Sequence, residues 1–324
     1  MSSADRPFRL ITRSDLDGLV SAAMLRDIGA VDSVMFVHPK DVQDGKVLVG
    51  RGDMLVNLPY VATAGQVFDY QAPGSRRLPR VGYGNLVMGV GEASVSRVIY
   101  DHFGGESRFP GFSQDLLNAA DQYGSAGYSL ADVLHPRGWT LLGFLTDPRT
   151  GLGRFRDFRV SNLQLMMMLV DACRAMDVER ILSLPDVAER VRRYHEHEAQ
   201  AIDQLRRCAR VEGDVIVLDM RRESVIYAAN RFLVYALYPN CTVSVHVMWG
   251  REKANTVLAV GRSIFNTTST VDVGDLCTRF GGGGHQFAGT CQVSNEVAGQ
   301  RLEEMLARLG AAQPAVSKKG EALA

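Results

Sequence analysis

Short β-rich runs that alternate with helical runs over the first hundred residues constrain this chain more than any other feature. Residues 8–12 are β-rich, residues 14–18 (SDLDG) read as a turn, and residues 19–28 carry helical spacing that stops near Gly29. A second β-rich run covers residues 33–37 and is followed by a polar loop over 38–46; further short strands are read at 54–56 and 66–68. This alternation predicts an α/β domain with a doubly wound, mostly parallel sheet. Ligands of such sheets sit beyond the carboxyl ends of the strands. Asp15, Asp17, Asn57 and Asp69 each follow a predicted strand, so the topology would bring them to one rim.

The middle of the chain is helical, with apolar residues at three-to-four spacing over 95–103, 114–120 and 162–176. Residues 186–210 read as one long charged helix with a thin apolar stripe, a connector. Beyond Gly213 the pattern turns β-rich at 215–220, 242–249 and 256–260, and a glycine run and a final helix over 296–309 complete a smaller α/β domain with a mixed sheet. The expected organisation is a first domain over 1–160, a helical region and connector over 161–211, a second domain over 212–310 and a disordered tail over 311–324.

Charge is balanced, 36 Lys+Arg against 36 Asp+Glu, so no global field draws the chain to nucleic acid or membrane, and any anion must be recognised locally. The five cysteines include no CxxC pair, which argues against a zinc ribbon and a disulfide framework and for free thiols in a reducing compartment. The polar start MSSADRPFR is unlike a signal peptide, and the longest apolar run, around 163–170, is too short to span a bilayer. These features place the protein in the cytoplasm.

Two motifs carry chemistry. In Asp15-Leu16-Asp17-Gly18, two carboxylates one residue apart at a strand end can share a hard divalent cation such as magnesium or manganese. The same residues also suit plain turn chemistry, with Asp17 capping the next helix. In Gly281-Gly282-Gly283-Gly284-His285, four glycines let successive N–H groups converge on an anion, with the histidine as a further donor, where a flexible hinge is the alternative. A third feature is the arginine density of Arg149, Arg154, Arg156 and Arg159, with Phe155 and Phe158 interleaved. It fits either a groove for a polyanion or a salt-bridged loop using Asp147 and Asp157. His195 and His197 on the charged helix read as solvated, and Met166 to Met168 as helix packing.

Together DLDG and GGGGH make the chain resemble the DHH phosphoesterase superfamily, a DHH domain followed by a DHH-associated domain, over nearly its whole length. Stretches such as TRSDLDGLVSAA, FVHPKDVQDGKV and GRSIFNTTSTVDVGDLCTRFGGGGHQFAGTCQV are similar to its bacterial exopolyphosphatase-like branch. The resemblance implies hydrolysis of phosphoanhydride or phosphodiester bonds in a polyphosphate, nucleotide or short oligonucleotide, using magnesium or manganese. It implies metal ligands at Asp15, Asp17 and Asp69, catalysis by Asp15 and Asp17, and phosphate binding by Arg262, Ser263, Gly282, Gly283, Gly284 and His285. A homodimer is compatible with it.

The chain departs from that pattern. Asp69-Tyr70-Gln71 stands where the family has Asp-His-His, and neither a phenol nor an amide replaces imidazole as a ligand. Gly124 stands where a further acid is expected, with Asp121 nearby as a substitute. Arg13, two residues before Asp15, puts a fixed positive charge where a cation should sit, and can neutralise the carboxylates or stabilise a phosphoryl transition state. The expectation is one ion rather than two, and the alternative is a catalytically impaired protein that keeps its phosphorylated ligand as a regulatory or scaffold module.

Overall fold

The computed structural model describes residues 6–71 and 83–311, so the expected tail lies, but for Ala311, outside the described residues. The chain divides into two compact units, Met1–Ala201 with Tyr227–Arg231, and Ile202–Ile226 with Phe232–Ala324. Of the helical region and connector read over 161–211, residues up to Ala201 fall in the first unit and those from Ile202 in the second. The long charged helix is two helices, Pro185–Glu196 and Glu198–Cys208, interrupted at His197. His197 is half-buried: its ring packs on Phe155 and Tyr227, and Nδ1 accepts the Ala228 N–H at 3.1 Å.

The first unit is built on five strands: β1 (Phe8–Arg13), β2 (Val31–Val37), β3 (Asp53–Val56), β4 (Gln66–Gln71) and β5 (Leu86–Val90). They run parallel in the order β2-β1-β3-β4-β5. Neighbouring residues point to opposite faces. Ile11, Leu55 and Val67 pack with Val42, Leu58 and Ala64 on one face. β5 has no counterpart among the strands read from the sequence, and β4 runs on through Asp69 instead of ending before it. Phe68, fully buried, meets the rings of His102 and Phe103.

The helix Leu16–Asp27 leaves β1 after only two residues, and every side chain from Leu16 to Leu25 is buried. The Asp15 side chain caps it by accepting the Gly18 N–H, which starts the helix at Leu16 rather than at residue 19. In this strand order the chain reverses direction between β1 and β3, the position where a doubly wound sheet opens a crevice at its carboxyl edge. The residues that follow these two strands are Ser14-Asp15 and Asn57.

The second unit carries six strands: β6 (Ala209–Glu212), β7 (Val215–Asp219), β8 (Val243–Trp249), β9 (Thr256–Arg262), β10 (Gly283–His285) and β11 (Ala288–Val293). Their order is β10-β11-β9-β8-β7-β6, with β7 and β8 parallel and the other pairs antiparallel. Leu276, Cys277, Leu302, Met305 and Leu309 cover the sheet residues Val217, Val245, Leu258 and Val260. All five cysteines are free. Among the described residues no helix is long and apolar enough to cross a membrane.

Candidate active site

At the end of β1 the backbone turns so tightly that a Cβ on Gly18 would collide with the Arg13 carbonyl oxygen. This fixes the glycine of DLDG as a packing requirement. Asp15 is the N-cap of the helix, accepting the Gly18 N–H at 3.0 Å on Oδ1. Its Oδ2 faces Arg13 Nε at 3.0 Å. Capping therefore falls to Asp15, where the sequence suggested Asp17.

Asp17 is fully buried and serves a different helix. It accepts the N–H groups of Val95 (3.1 Å) and Ser96 (3.0 Å), the Ser96 hydroxyl (2.6 Å) and, at 3.4 Å, the Asn57 side-chain amide. The two N–H groups open the helix Val95–Phe103, so the carboxylate sits on orphan donors at its positive end. Burial nevertheless dominates and pushes the Asp17 carboxyl up to about 7, against the pull of the Ser96 hydroxyl. Asn57 has φ 54°, a left-handed conformation that asparagine tolerates better than most residues.

Asp69 lies in β4 and accepts its neighbour's N–H, from Tyr70, at 2.9 Å. The Tyr70 hydroxyl reaches the Gly124 carbonyl at 3.1 Å. Burial, then the charge of Asp17, raises its pKa far above that of an ordinary phenol, so Tyr70 stays neutral. The position read as a lost acid could hold none: a Cβ at Gly124 would collide with the Ala93 carbonyl oxygen. Asp121 does not substitute, since it binds Arg97 at 2.6 Å and the Ser94 hydroxyl at 2.6 Å, tying two helices together. Tyr70→Phe should accordingly cost about 1 kcal/mol of stability, the worth of one hydrogen bond. An unfolding midpoint equal to that of the parent would remove Tyr70 from this structural role.

Asp15, Asp17 and Asp69 thus share a neighbourhood without forming a ligand set. Asp17 is filled by four donors, Asp15 lies between an amide and a guanidinium, and among the described residues no three His, Cys, Asp or Glu side chains are grouped to hold an ion. As they stand, these residues do not fit the two-ion centre that the DHH pattern implies.

What fills this region is a cluster of arginines. Arg149 grips Asp147 with Nε at 2.8 Å and a second nitrogen at 2.8 Å, and donates to the Tyr123 hydroxyl at 3.0 Å. Arg231 approaches Asp147 at 3.7 Å. Burial alone would raise the Asp147 pKa, but Arg149 and Arg231 overcome it and hold the carboxyl down at about 2. Arg13 adjoins the same group: Asp15, the largest influence, raises its pKa and Arg149 lowers it. Of the arginine-rich loop, Arg149 alone is shown in this cluster, while Arg159 pairs with Asp186 and Asp157 pairs with Arg193. Arg231 had no signal in the sequence. Asp147-Pro148-Arg149 had one, the same Asp/Arg spacing of two as Arg13-Ser14-Asp15.

In the second unit the hairpin β10–β11 pairs His285 with Ala288, and Ala288 with Gly261 of β9. This gathers His285, Phe287 and Arg262. The Arg262 guanidinium lies 5.2 Å from the Phe287 ring centre, and the Arg262 backbone N–H donates to the Phe287 carbonyl at 2.9 Å. His285 is exposed, with Nδ1 accepting the Phe287 N–H at 3.3 Å. Ser263 is buried and its hydroxyl accepts the N–H groups of Phe265 and Asn266, so that oxygen shapes the following loop. Gly282 and Gly284 both lie where a Cβ would strike the β11 backbone.

No protein-family model matches the sequence, and no curated protein does. Solved structures do. The DHH domain of PF0399, described as a member of the s1p family of ribosomal proteins, is 13% identical over 95% of this chain and 88% of its own, with a TM-score of 0.51. RecJ from Thermus thermophilus in complex with Mn2+ is 15% identical over 95% of this chain and 52% of its own, with a TM-score of 0.50. These two share the fold. The chain belongs to the DHH phosphoesterase superfamily. Within it, PggH from Vibrio cholerae, a pGpG-specific phosphodiesterase, is 44% identical over 94% of this chain and 99% of its own, with a TM-score of 0.77.

Proposed function

We propose that this protein is a phosphodiesterase acting on a short linear nucleotide, with the linear guanosine dinucleotide pGpG as its first candidate substrate. The observation that carries the reading is the 44% identity to a pGpG-specific phosphodiesterase over 99% of that chain. Inorganic polyphosphate, the other substrate class its sequence suggests, has no comparable support. In this reading Asp15 and Arg13 stand at the crevice of the first sheet, where the phosphoryl group is attacked. Arg262, the amides of Gly282, Gly283 and Gly284, and His285 give the second unit donors for a phosphate.

A second reading has a specific observation in its favour. The carboxylates already have partners and, among the described residues, no ligand trio is grouped, which suits a protein that binds the nucleotide and has lost hydrolysis. One assay separates the two. Purified protein is incubated with pGpG plus magnesium or manganese, and in parallel with a chelator, and products are resolved by chromatography. Release of mononucleotides, absent from an Asp15→Ala variant, is expected. Intact pGpG in every arm, with binding retained, would replace the hydrolase reading with the binding one.

A further inference from the structure

We propose that Arg13, Arg149 and Arg231 together form a phosphate-binding site in the first unit that needs no metal ion, the guanidinium groups taking the place of the superfamily's cations. The inference rests on the reading above, that the first unit takes a phosphoryl group, and deepens it by naming what holds that group.

The geometry is that of cations turned outward over anions turned inward. Asp15 and Asp147 each keep only 3% of their side-chain surface exposed, whereas the side chains of Arg13, Arg149 and Arg231 keep 32%, 38% and 23%. Arg13 thus pairs with Asp15 while Arg149 and Arg231 share Asp147, so the one buried carboxylate of Asp147 faces two cations. Asp17 gives its oxygens to the helix Val95–Phe103 rather than to these arginines. Arg149 is held as a rigid fork, bidentate on Asp147 and braced by the Tyr123 hydroxyl, so little freedom is lost when it takes up a ligand.

Arg231 supplies the most telling detail. It ends a five-residue segment, Tyr227–Arg231, that leaves the second unit's sequence to join the first unit. Each of the three residues before it is fastened there. The Ala228 N–H donates to His197 Nδ1 at 3.1 Å, the Ala229 N–H to the Thr150 carbonyl at 3.1 Å, and the Asn230 amide to the Val133 carbonyl at 2.9 Å and the Tyr194 hydroxyl at 3.0 Å. The result delivers a third arginine beside Arg149, against like-charge repulsion. Burial, and next the charge of Arg149, lowers the Arg231 pKa, with Asp147 only partly offsetting them. A phosphate dianion at this place relieves that repulsion, and the terminal nitrogen of Arg149 that Asp147 and Tyr123 do not use is a charged donor for it.

The test uses the full chain carrying His285→Ala, so that the second unit contributes less, and inorganic phosphate as the probe in calorimetric titrations with chelator present. Phosphate should bind without metal. Arg13→Gln and Arg149→Gln should each weaken it by about tenfold or more, as loss of a charge-assisted hydrogen bond predicts. Arg154→Gln, outside the cluster, should leave it unchanged. Should Arg149→Gln fail to fold, Arg149→Lys keeps the charge, loses the fork and should still bind more weakly. Binding that appears only with added magnesium or manganese, or that survives both Arg13→Gln and Arg149→Lys, overturns the proposal. Hydrolysis of pGpG that is indifferent to the arginines would remove this site and leave the proposed function standing. Metal-free phosphate binding without hydrolysis would do the reverse.

Discussion

Replacing Asp147 with alanine should lower the stability of the first unit by about 2–3 kcal/mol, because it strands two arginines beside a buried position. The full cost of breaking a buried ion pair is about 3–5 kcal/mol, and the partial exposure of Arg149 and Arg231 discounts it. The pH dependence gives an independent reading of the same interaction. The Asp147 carboxyl titrates at about 2 in the folded chain against an ordinary value of 3.8. A depressed folded pKa means stability that is fully present above pH 3.8 and is lost as pH falls from 3.8 through 2. Nearly two pKa units correspond to about 2 kcal/mol. Urea unfolding at about pH 7, 4 and 2.5 should therefore show the parent losing stability across the acid window, with Asp147→Asn losing less because its contribution is gone at every pH. Equal unfolding midpoints for parent and Asp147→Ala at about pH 7 would mean that Asp147 does not anchor the cluster.

That cluster marks the boundary of what the amino-acid sequence discloses. The parallel sheet was legible because hydrophobic period and turn residues are local, and so was the position of Asp15 after β1. The tie between Asp17 and Ser96 was not, since those residues lie 79 positions apart and nothing local to either one marks the other. The return of Tyr227–Arg231 to the first unit was equally hidden: its anchors are backbone groups, the Tyr194 hydroxyl and a histidine that pattern alone assigned to solvent. The loss of imidazoles at Tyr70 and Gln71 could be read directly. Arg13 could be read as a charge where a cation should sit, but its grouping with Arg149 and Arg231 could not, because the three come from separated stretches. Gly124 illustrates the intermediate case, visible as a missing acid but explained only by the Ala93 carbonyl pressed against it.

The glycine run offers the sharpest separation of fold from binding. At Gly282 a side chain would enter the Thr290 carbonyl and the Cys291 backbone, and at Gly284 the Ala288 carbonyl and the Gly289 Cα. Backbone cannot swing aside as a flexible side chain can, so Gly282→Ala and Gly284→Ala should each cost about 3 kcal/mol or more in the second unit. Gly283 has nothing within 4 Å of its would-be Cβ, and it sits in β10 and is not among the glycines with positive φ. Alanine there should leave stability unchanged or raise it by about 0.5–1 kcal/mol, the usual gain on removing glycine from a strand. If the run also cradles an anion, the added methyl crowds the ligand, and Gly283→Ala should raise KM for pGpG several-fold with kcat and unfolding midpoint intact. An unchanged KM would assign the glycines wholly to the close approach of two strands. Phosphate recognition in the second unit would then rest on His285 and Arg262.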